Sequence, residues 1–273
     1  QDFTHSDTLV QFRLPLAICW AASKKNIESI RFYIAHSLGG GAEHWLQSEI
    51  SSHVSADEPV VVLRFGGQRR VCVEFISSQG TMKACANELD TVSQLLRIPD
   101  RKTIIYSSCV GDIAPYEVPK FLSENLSTKD KSILLFHDFF PISPSYTLLD
   151  DTSEKQKKWK INLTKKVHGF YDRDMKYNLN SVWQKAWKEF AKKSEIIVFS
   201  NNTKNIVNDI WPDFARQIQV KPHVNKNIIG PVTRKSDSDV LTLGVLGGIN
   251  LAKGAGVISE LSSLLDNYKI KPF

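Results

Sequence analysis

The segment from Ile30 to Val54 constrains the fold more than any other. In it an apolar run leads into three consecutive glycines, and a helical pattern begins directly after them. Ile30–Ala35 reads as a strand. Ala42, Trp45, Leu46, Ile50 and Val54 share one helical face, while Glu43, Gln47 and Ser51 point elsewhere. A strand, the turn Gly39-Gly40-Gly41 and a helix N-terminus together suit an anion. Glycine lets the backbone approach phosphate oxygens, and the first helical N–H groups meet them with the positive end of the dipole. The spacing matches neither G-x-G-x-x-G nor G-x-x-x-x-G-K-[ST], so a plain tight connection between strand and helix is the competing reading.

The same alternation recurs along the chain. Strands are predicted at Val60–Phe65, Val71–Ile76, Thr103–Ser107, Ser132–His137 and Glu195–Ser200, and more weakly at Gln217–Lys221 and Leu241–Leu246. Helices are predicted over residues 42–54, 82–97, 117–126, 155–168, 180–193, 202–211 and 255–266. In the second of these, Met82, Cys85, Leu89, Val92 and Leu96 make the apolar stripe. Strands alternating with helices require crossovers, so the fold class is α/β, a Rossmann-like, mostly parallel sheet covered on both faces. Residues 1–29 carry little periodicity and read as an N-terminal arm, and residues 30–224 as the main domain. Residues 225–239 are polar and hold Gly230 and Pro231, which marks a linker. Residues 240–273 restart the strand-turn-helix pattern and resemble the opening of a second Rossmann-like domain, too short to enclose its own core.

Composition narrows the classes. The chain has 273 residues, 42% of them hydrophobic, and no run approaches the ~18 apolar residues of a membrane span. Arg13–Ala22 looks faintly like a signal-peptide core, but Pro15 interrupts it and no clear cleavage site follows. Cys19, Cys72, Cys85 and Cys109 lack C-x-x-C spacing and read as reduced core thiols of a cytosolic protein. The net charge of +6 is concentrated: residues 155–193 hold twelve Lys or Arg against three acids, interleaved with Trp159, Phe170, Tyr171, Tyr177, Trp183 and Trp187. That pattern reads as a solvated helical face with aromatic anchors, or as a surface for an anionic membrane or acceptor. No RNA-module motif accompanies it, so nucleic acid is not expected as a partner.

Candidate chemistry lies at strand ends. His137-Asp138 closes a predicted strand and is followed by Phe139-Phe140-Pro141-Ile142-Ser143-Pro144, a stiff aromatic loop placed for a ligand. His137 could equally cap its strand. Ser200-Asn201 follows another strand and opens a helix, where either side chain is first of all a good N-cap. His223 reads as a structural residue at the exit toward the linker. No G-x-S-x-G elbow and no D-x-D or histidine cluster is present, so neither a nucleophilic triad nor a metal is expected.

Five segments in order carry a resemblance: Gly39-Gly-Gly-Ala-Glu43, His137-Asp-Phe-Phe-Pro-Ile-Ser-Pro144, Ile197-Val-Phe-Ser-Asn-Asn-Thr203, Pro222-His223, and Gly244-Val-Leu-Gly-Gly-Ile-Asn-Leu-Ala-Lys-Gly254. Together they resemble bacterial retaining glycosyltransferases of the glycosyltransferase B fold that build surface polysaccharides such as lipopolysaccharide O-antigen. The resemblance spans residues 30 to 265. It implies that residues 30–224 form the acceptor-side half of that fold and that residues 240–273 begin the donor-binding half. By the same resemblance, Gly39, Gly40, Gly41 and Lys253 lie near the donor diphosphate and His137 near the transferred sugar. His137 and Asp138 are then the catalytic candidates, with Ser200 and Asn201 on the donor. The implied activity is sugar transfer from a nucleotide sugar to a glycan or lipid-linked acceptor, without a cofactor. It would take place in the cytoplasm, peripherally on the inner face of the plasma membrane. Two departures stand out: Gly248 occupies a position where many relatives carry Arg, and the E-x7-E motif of the second domain is absent, so this chain by itself is expected to be an incomplete catalyst. The alternatives are a non-catalytic α/β module that binds an acceptor or partner in polysaccharide assembly, and a nucleotide-sugar epimerase whose catalytic acids cannot be assigned.

Overall fold

A computed structural model describes residues 13–150, 160–161, 179–223 and 255–264. The chain begins with helix α1 (Leu14–Ala22) and strand β1 (Ile30–His36), followed by α2 (Gly41–Ser55) and β2 (Val60–Phe65). A hairpin, β3 (Val71–Ser77) and β4 (Gly80–Ala86), precedes α3 (Leu89–Leu96), β5 (Lys102–Tyr106), α4 (Val118–Glu124) and β6 (Lys131–Phe136). Leu149–Asp150 (β7) and Lys160–Ile161 (β8) pair as a small antiparallel ribbon. Then come α5 (Leu179–Ala191), β9 (Glu195–Val198), α6 (Asn201–Ile210), β10 (Ile218–Val220) and α7 (Ala255–Leu264).

Eight strands form one sheet in the order β10-β9-β6-β5-β1-β2-β3-β4. The six from β10 to β2 run parallel, and β3 and β4 add an antiparallel edge. The chain leaves β1 toward β2 on one side and later returns with β5 on the other. The gap between the carboxyl ends of β1 and β5 is therefore the topological switch point, where open α/β sheets offer a crevice to ligands. The architecture is α/β with a mostly parallel sheet, consistent with a Rossmann-like fold.

The two faces of the sheet are covered unequally. On one, Leu14 and Ile18 of α1, Val92 and Leu96 of α3, Phe121 of α4, Trp187 and Phe190 of α5 and Val207 of α6 pack over Phe32, Leu63, Ile104, Leu134 and Ile196. On the other, Leu46 and Ile50 of α2 cover Tyr33, Val60, Val62, Ile105, Leu135 and Ile197, and half-buried Trp45, Val54 and Phe199 complete the cluster. Among the described residues, α2 is the only helix in this second core. Its upper end, at the carboxyl edge, is where the candidate residues gather.

Three sequence expectations are corrected. Leu14–Ala22 belongs to no arm: it is a helix with Pro15 in its first turn and Leu14, Ala17, Ile18 and Ala21 buried. Nor is 82–97 one helix, because residues 80–86 form β4. Ser78-Gln79 make a two-residue turn into Gly80, whose φ of +130° suits glycine. Ala84 and Ala86 face the first core, while Met82 lies 36% exposed, so the predicted stripe crossed a strand and a helix. Of the predicted helix over 155–168, Lys160–Ile161 is a strand instead and the rest lies outside the described residues. The linker at 225–239 and the predicted strand at Leu241–Leu246 also lie outside them.

Candidate functional site

Strand β1 ends at His36, whose Nδ1 accepts the Leu38 N–H at 3.1 Å. The turn then passes through Gly39 and Gly40, with φ of +75° and +90°, into the first turn of α2. A side chain at either glycine would meet no atom within 4 Å. The backbone conformation requires glycine here, whereas crowding does not. Glu43 occupies this first helical turn and is clamped by Arg64 of β2, with Nη1 donating at 2.6 Å and Nη2 at 2.9 Å. The Arg64 Nε donates to Glu74 of β3 at 2.9 Å, and Lys83 of β4 reaches Glu74 at 2.6 Å. Burial opposes charge on Glu43, yet the hydrogen bonds from Arg64 and Gln47 hold its carboxyl below the ordinary range. These residues, with Ser37 and Gly39, line a surface cavity of about 540 Å³.

The other half of the carboxyl edge is built by pairs of neighbours. The N–H groups of Ser107 and Ser108, just past β5, both donate to the Ile34 carbonyl of β1 at 2.8 and 3.1 Å. This turns their side chains toward the end of β6. Ser107 Oγ lies 2.9 Å from Nδ1 of His137, and Ser108 Oγ donates to Oδ2 of Asp138 at 2.6 Å. Asp138 Oδ1 accepts the Phe140 N–H at 2.9 Å. The proline-stiffened loop is fixed in turn by α5, through Trp183 Nε1 to the Phe140 carbonyl at 2.6 Å and Gln184 Nε2 to the Ile142 carbonyl at 2.9 Å.

Rings surround His137. Trp45 of α2 lies 5.0 Å from it, Phe199 stacks on it at 4.5 Å, and His223 stacks on Phe199 at 3.9 Å. The two imidazole centroids are 5.4 Å apart, with their planes within 8° of parallel. Burial first, then the neighbouring His223, pushes the His137 pKa down to about 3, so the ring is neutral at pH 7. A neutral imidazole has one donor and one acceptor nitrogen. With Nδ1 committed to Ser107, Nε2 is left buried and without a hydrogen-bond partner. An unpaired buried nitrogen costs roughly 1–3 kcal/mol, which a ligand group can recover. Burial also pushes Asp138 up to about 6, against the opposing bonds from Ser108 and Phe140.

The structure thus sorts the candidates. Gly39, Gly40, Gly41 and His137 stand at the carboxyl edge as expected. The His137 residue is half-buried there, with Trp45, Phe199 and His223 around its ring and its Nε2 buried. Both oxygens of the Asp138 carboxylate are occupied, Oδ2 by the Ser108 hydroxyl beyond β5 and Oδ1 by the Phe140 N–H of its own loop. Ser200 caps α6 by accepting the Thr203 N–H at 3.1 Å, and Asn201 is the exposed first residue of that helix. Of that motif it is Phe199 that reaches the histidine. Lys253 lies outside the described residues. Sequence reasoning missed Ser107, Ser108 and the participation of His223, whose only local signals were their positions just beyond β5 and β10. Trp183 and Trp187 are buried anchors of α5. Among the described residues no group of three or more His, Cys, Asp or Glu could hold a metal ion.

A second cavity, also about 540 Å³, opens at the amino ends of the strands and is lined by Ser29, Arg31, Thr103, Asp130 and Lys131. Asp130 there is already engaged by Lys102 at 2.8 Å. The candidate site is therefore the carboxyl edge, where a neutral, half-buried histidine with a buried Nε2 stands beside a glycine turn in a mostly parallel α/β sheet. No protein-family model, curated protein or solved structure matches this chain. No helix among the described residues is long and apolar enough to cross a membrane.

Proposed function

We propose that this chain is the acceptor-side, Rossmann-like part of a retaining glycosyltransferase of the glycosyltransferase B fold. In this reading it acts on a nucleotide sugar and a glycan or lipid-linked acceptor, in the cytoplasm at the inner face of the membrane. The observation that carries the reading is His137, a neutral imidazole at the sheet's carboxyl edge with a buried, unpartnered Nε2. A neutral ring suits a sugar hydroxyl, to which it can offer one hydrogen bond without placing charge against the glycosidic oxygen. Ser107 fixes the ring's orientation, and Asp138, through Ser108 and Phe140, holds the loop behind it. The turn at Gly39–Gly41 offers backbone N–H groups for a departing diphosphate, which needs donors as its charge grows. Residues 155–193 serve in this reading as the surface toward an anionic membrane.

The test has two stages. Titration calorimetry of the full-length protein, donor-binding half included, with UDP-, GDP- and TDP-sugars identifies the donor, and His137→Ala in that full-length protein is then assayed for transfer with it. The variant is expected to lose ~100-fold or more in kcat, about 2.7 kcal/mol, with a smaller change in donor affinity. Wild-type turnover in a folded variant would reduce His137 to a structural residue. No binding across the panel would remove the transferase reading. The alternative, a non-catalytic module that binds an acceptor or partner, is favoured by one observation: both oxygens of the Asp138 carboxylate are already occupied, by the Ser108 hydroxyl and by the Phe140 N–H.

A further inference from the structure

The edge hairpin carries a feature that the carboxyl-edge site does not use. Cys72 of β3 and Cys85 of β4 are directly opposite each other in the antiparallel register, and both are half-buried thiols. The hairpin closes on the pair Ser77–Gly80 across a two-residue turn, so that pair exchanges both backbone hydrogen bonds. Antiparallel pairs alternate between hydrogen-bonded and non-hydrogen-bonded. Counted back from Ser77–Gly80 through Ile76–Thr81, Phe75–Met82, Glu74–Lys83 and Val73–Ala84, the pair Cys72–Cys85 is of the non-hydrogen-bonded kind. Such pairs bring the Cα atoms to about 4.5 Å with side chains on the same face, inside the roughly 4.4–6.8 Å window a disulfide requires. The Cys72 thiol already hydrogen-bonds Cys85. Cys19, exposed on α1, and Cys109, buried beside Tyr106, share no such pairing with each other.

We infer that Cys72 and Cys85 form a dithiol site that closes to a reversible cross-strand disulfide by exchange with a low-molecular-weight disulfide such as oxidised glutathione. One cysteine thiolate attacks a glutathione sulfur, its S–S bond breaks, and the first glutathione leaves as a thiol. The second cysteine sulfur then attacks the mixed disulfide and releases the second glutathione. Two thiols are oxidised to one S–S bond, and one glutathione disulfide is reduced to two thiols that carry away both protons. Burial, then the adjacent Cys85, pushes the Cys72 thiol up to about 12, so attack by Cys72 itself is slow near neutral pH and quickens as pH rises.

The bond would join the outermost strand to its neighbour one strand away from Arg64, because Arg64 pairs with Cys72 across β2 and β3. Glu74 and Lys83, which extend the Arg64 network, lie on the same two strands. Oxidation therefore staples the part of the sheet that supports the first turn of α2.

The folded protein is incubated with glutathione disulfide at pH 8.5, blocked with an alkylating agent, unfolded and digested with trypsin. Cleavage after Arg70, Lys83 and Arg97 places Cys72 and Cys85 on separate peptides, residues 71–83 and 84–97. The expected result is those two peptides joined, a link reversed by dithiothreitol and lost in Cys85→Ser. A melting temperature higher by about 5 °C in the oxidised protein should accompany it. Peptides 71–83 and 84–97 recovered unlinked, whether alkylated or each carrying its own glutathione, would overturn the inference. A link from either cysteine to Cys19 or Cys109 instead would overturn it as well.

Discussion

The glycine turn and the histidine cluster share one sheet edge but differ in what they still need. Around the turn, every charge is answered: Arg64 is held by Glu43 and Glu74, and Lys83 completes the set. Glu43 also places a carboxylate in the first turn of α2, where an incoming anion would otherwise enjoy the helix dipole. Around His137 the reverse holds. The ring is neutral and half-buried, and one buried nitrogen has no partner. The turn is open but electrostatically satisfied, whereas the cluster is half-buried yet chemically incomplete. Exposure alone therefore points to the wrong half of the edge, and an unmet hydrogen bond points to the other.

The sharpest test of the satisfied half is Arg64→Ala. It leaves Glu74, with a side chain only 6% exposed, facing a single exposed lysine, and it unclamps Glu43. A loss of about 3 kcal/mol in urea unfolding is expected, because removing one partner strands a buried charge. A loss below about 1 kcal/mol would class the network with surface ion pairs and end the contrast.

The unsatisfied half has a signature in pH. The folded protein resists protonating His137 until about pH 3, while the unfolded chain takes that proton near 6.5. Below 6.5 the unfolded state binds more protons, so this group's contribution to stability falls as pH falls, by about 1.4 kcal/mol per unit. The stability difference between wild type and His137→Gln should therefore shift against wild type by about 2 kcal/mol between pH 7 and pH 5. A pH-independent difference would mean that the ring titrates normally.

The smallest effects are expected at the turn itself. Gly40 combines φ of +90° with ψ of −160°, a region essentially reserved for glycine, so Gly40→Ala should cost about 2 kcal/mol through backbone strain alone. Gly41 lies inside the helix with open space around it, and Gly41→Ala should be neutral or stabilising by up to about 1 kcal/mol. Equal effects at the two positions would show that the turn is not held by its dihedral angles.

Much of this edge was legible in the sequence because strand ends and glycines are local signals. Val60–Phe65 was placed to the residue, and His137, predicted as the last residue of its strand, lies one residue beyond the strand's end at Phe136. The site's supporting residues were not legible, since Ser107 matters only because β5 lies between β1 and β6. Strand order depends on long-range packing, which no local pattern encodes. Helix α1 was missed for a different reason. Leu16 and Trp20 are 69% and 41% exposed, so apolar residues surround the helix and hide the buried face of Leu14, Ala17, Ile18 and Ala21. The helix drawn across β4 arose because Met82 and Cys85 happen to continue the spacing of Leu89, Val92 and Leu96 across the turn at Asn87–Glu88.

The claim that the histidine cluster is the ligand-facing half of the edge is tested most directly by long-range proton–nitrogen NMR of the histidine rings. Spectra would be recorded while the full-length protein is titrated with the UDP-, GDP- and TDP-sugar panel. The account predicts a neutral His137 in the apo protein, unchanged down to pH 5, and an Nε2 resonance that moves saturably with the one donor that binds. A His137 that gains a proton near pH 6.5, or an Nε2 that stays fixed while a donor binds and shifts the amides of Gly39–Gly41, would contradict it.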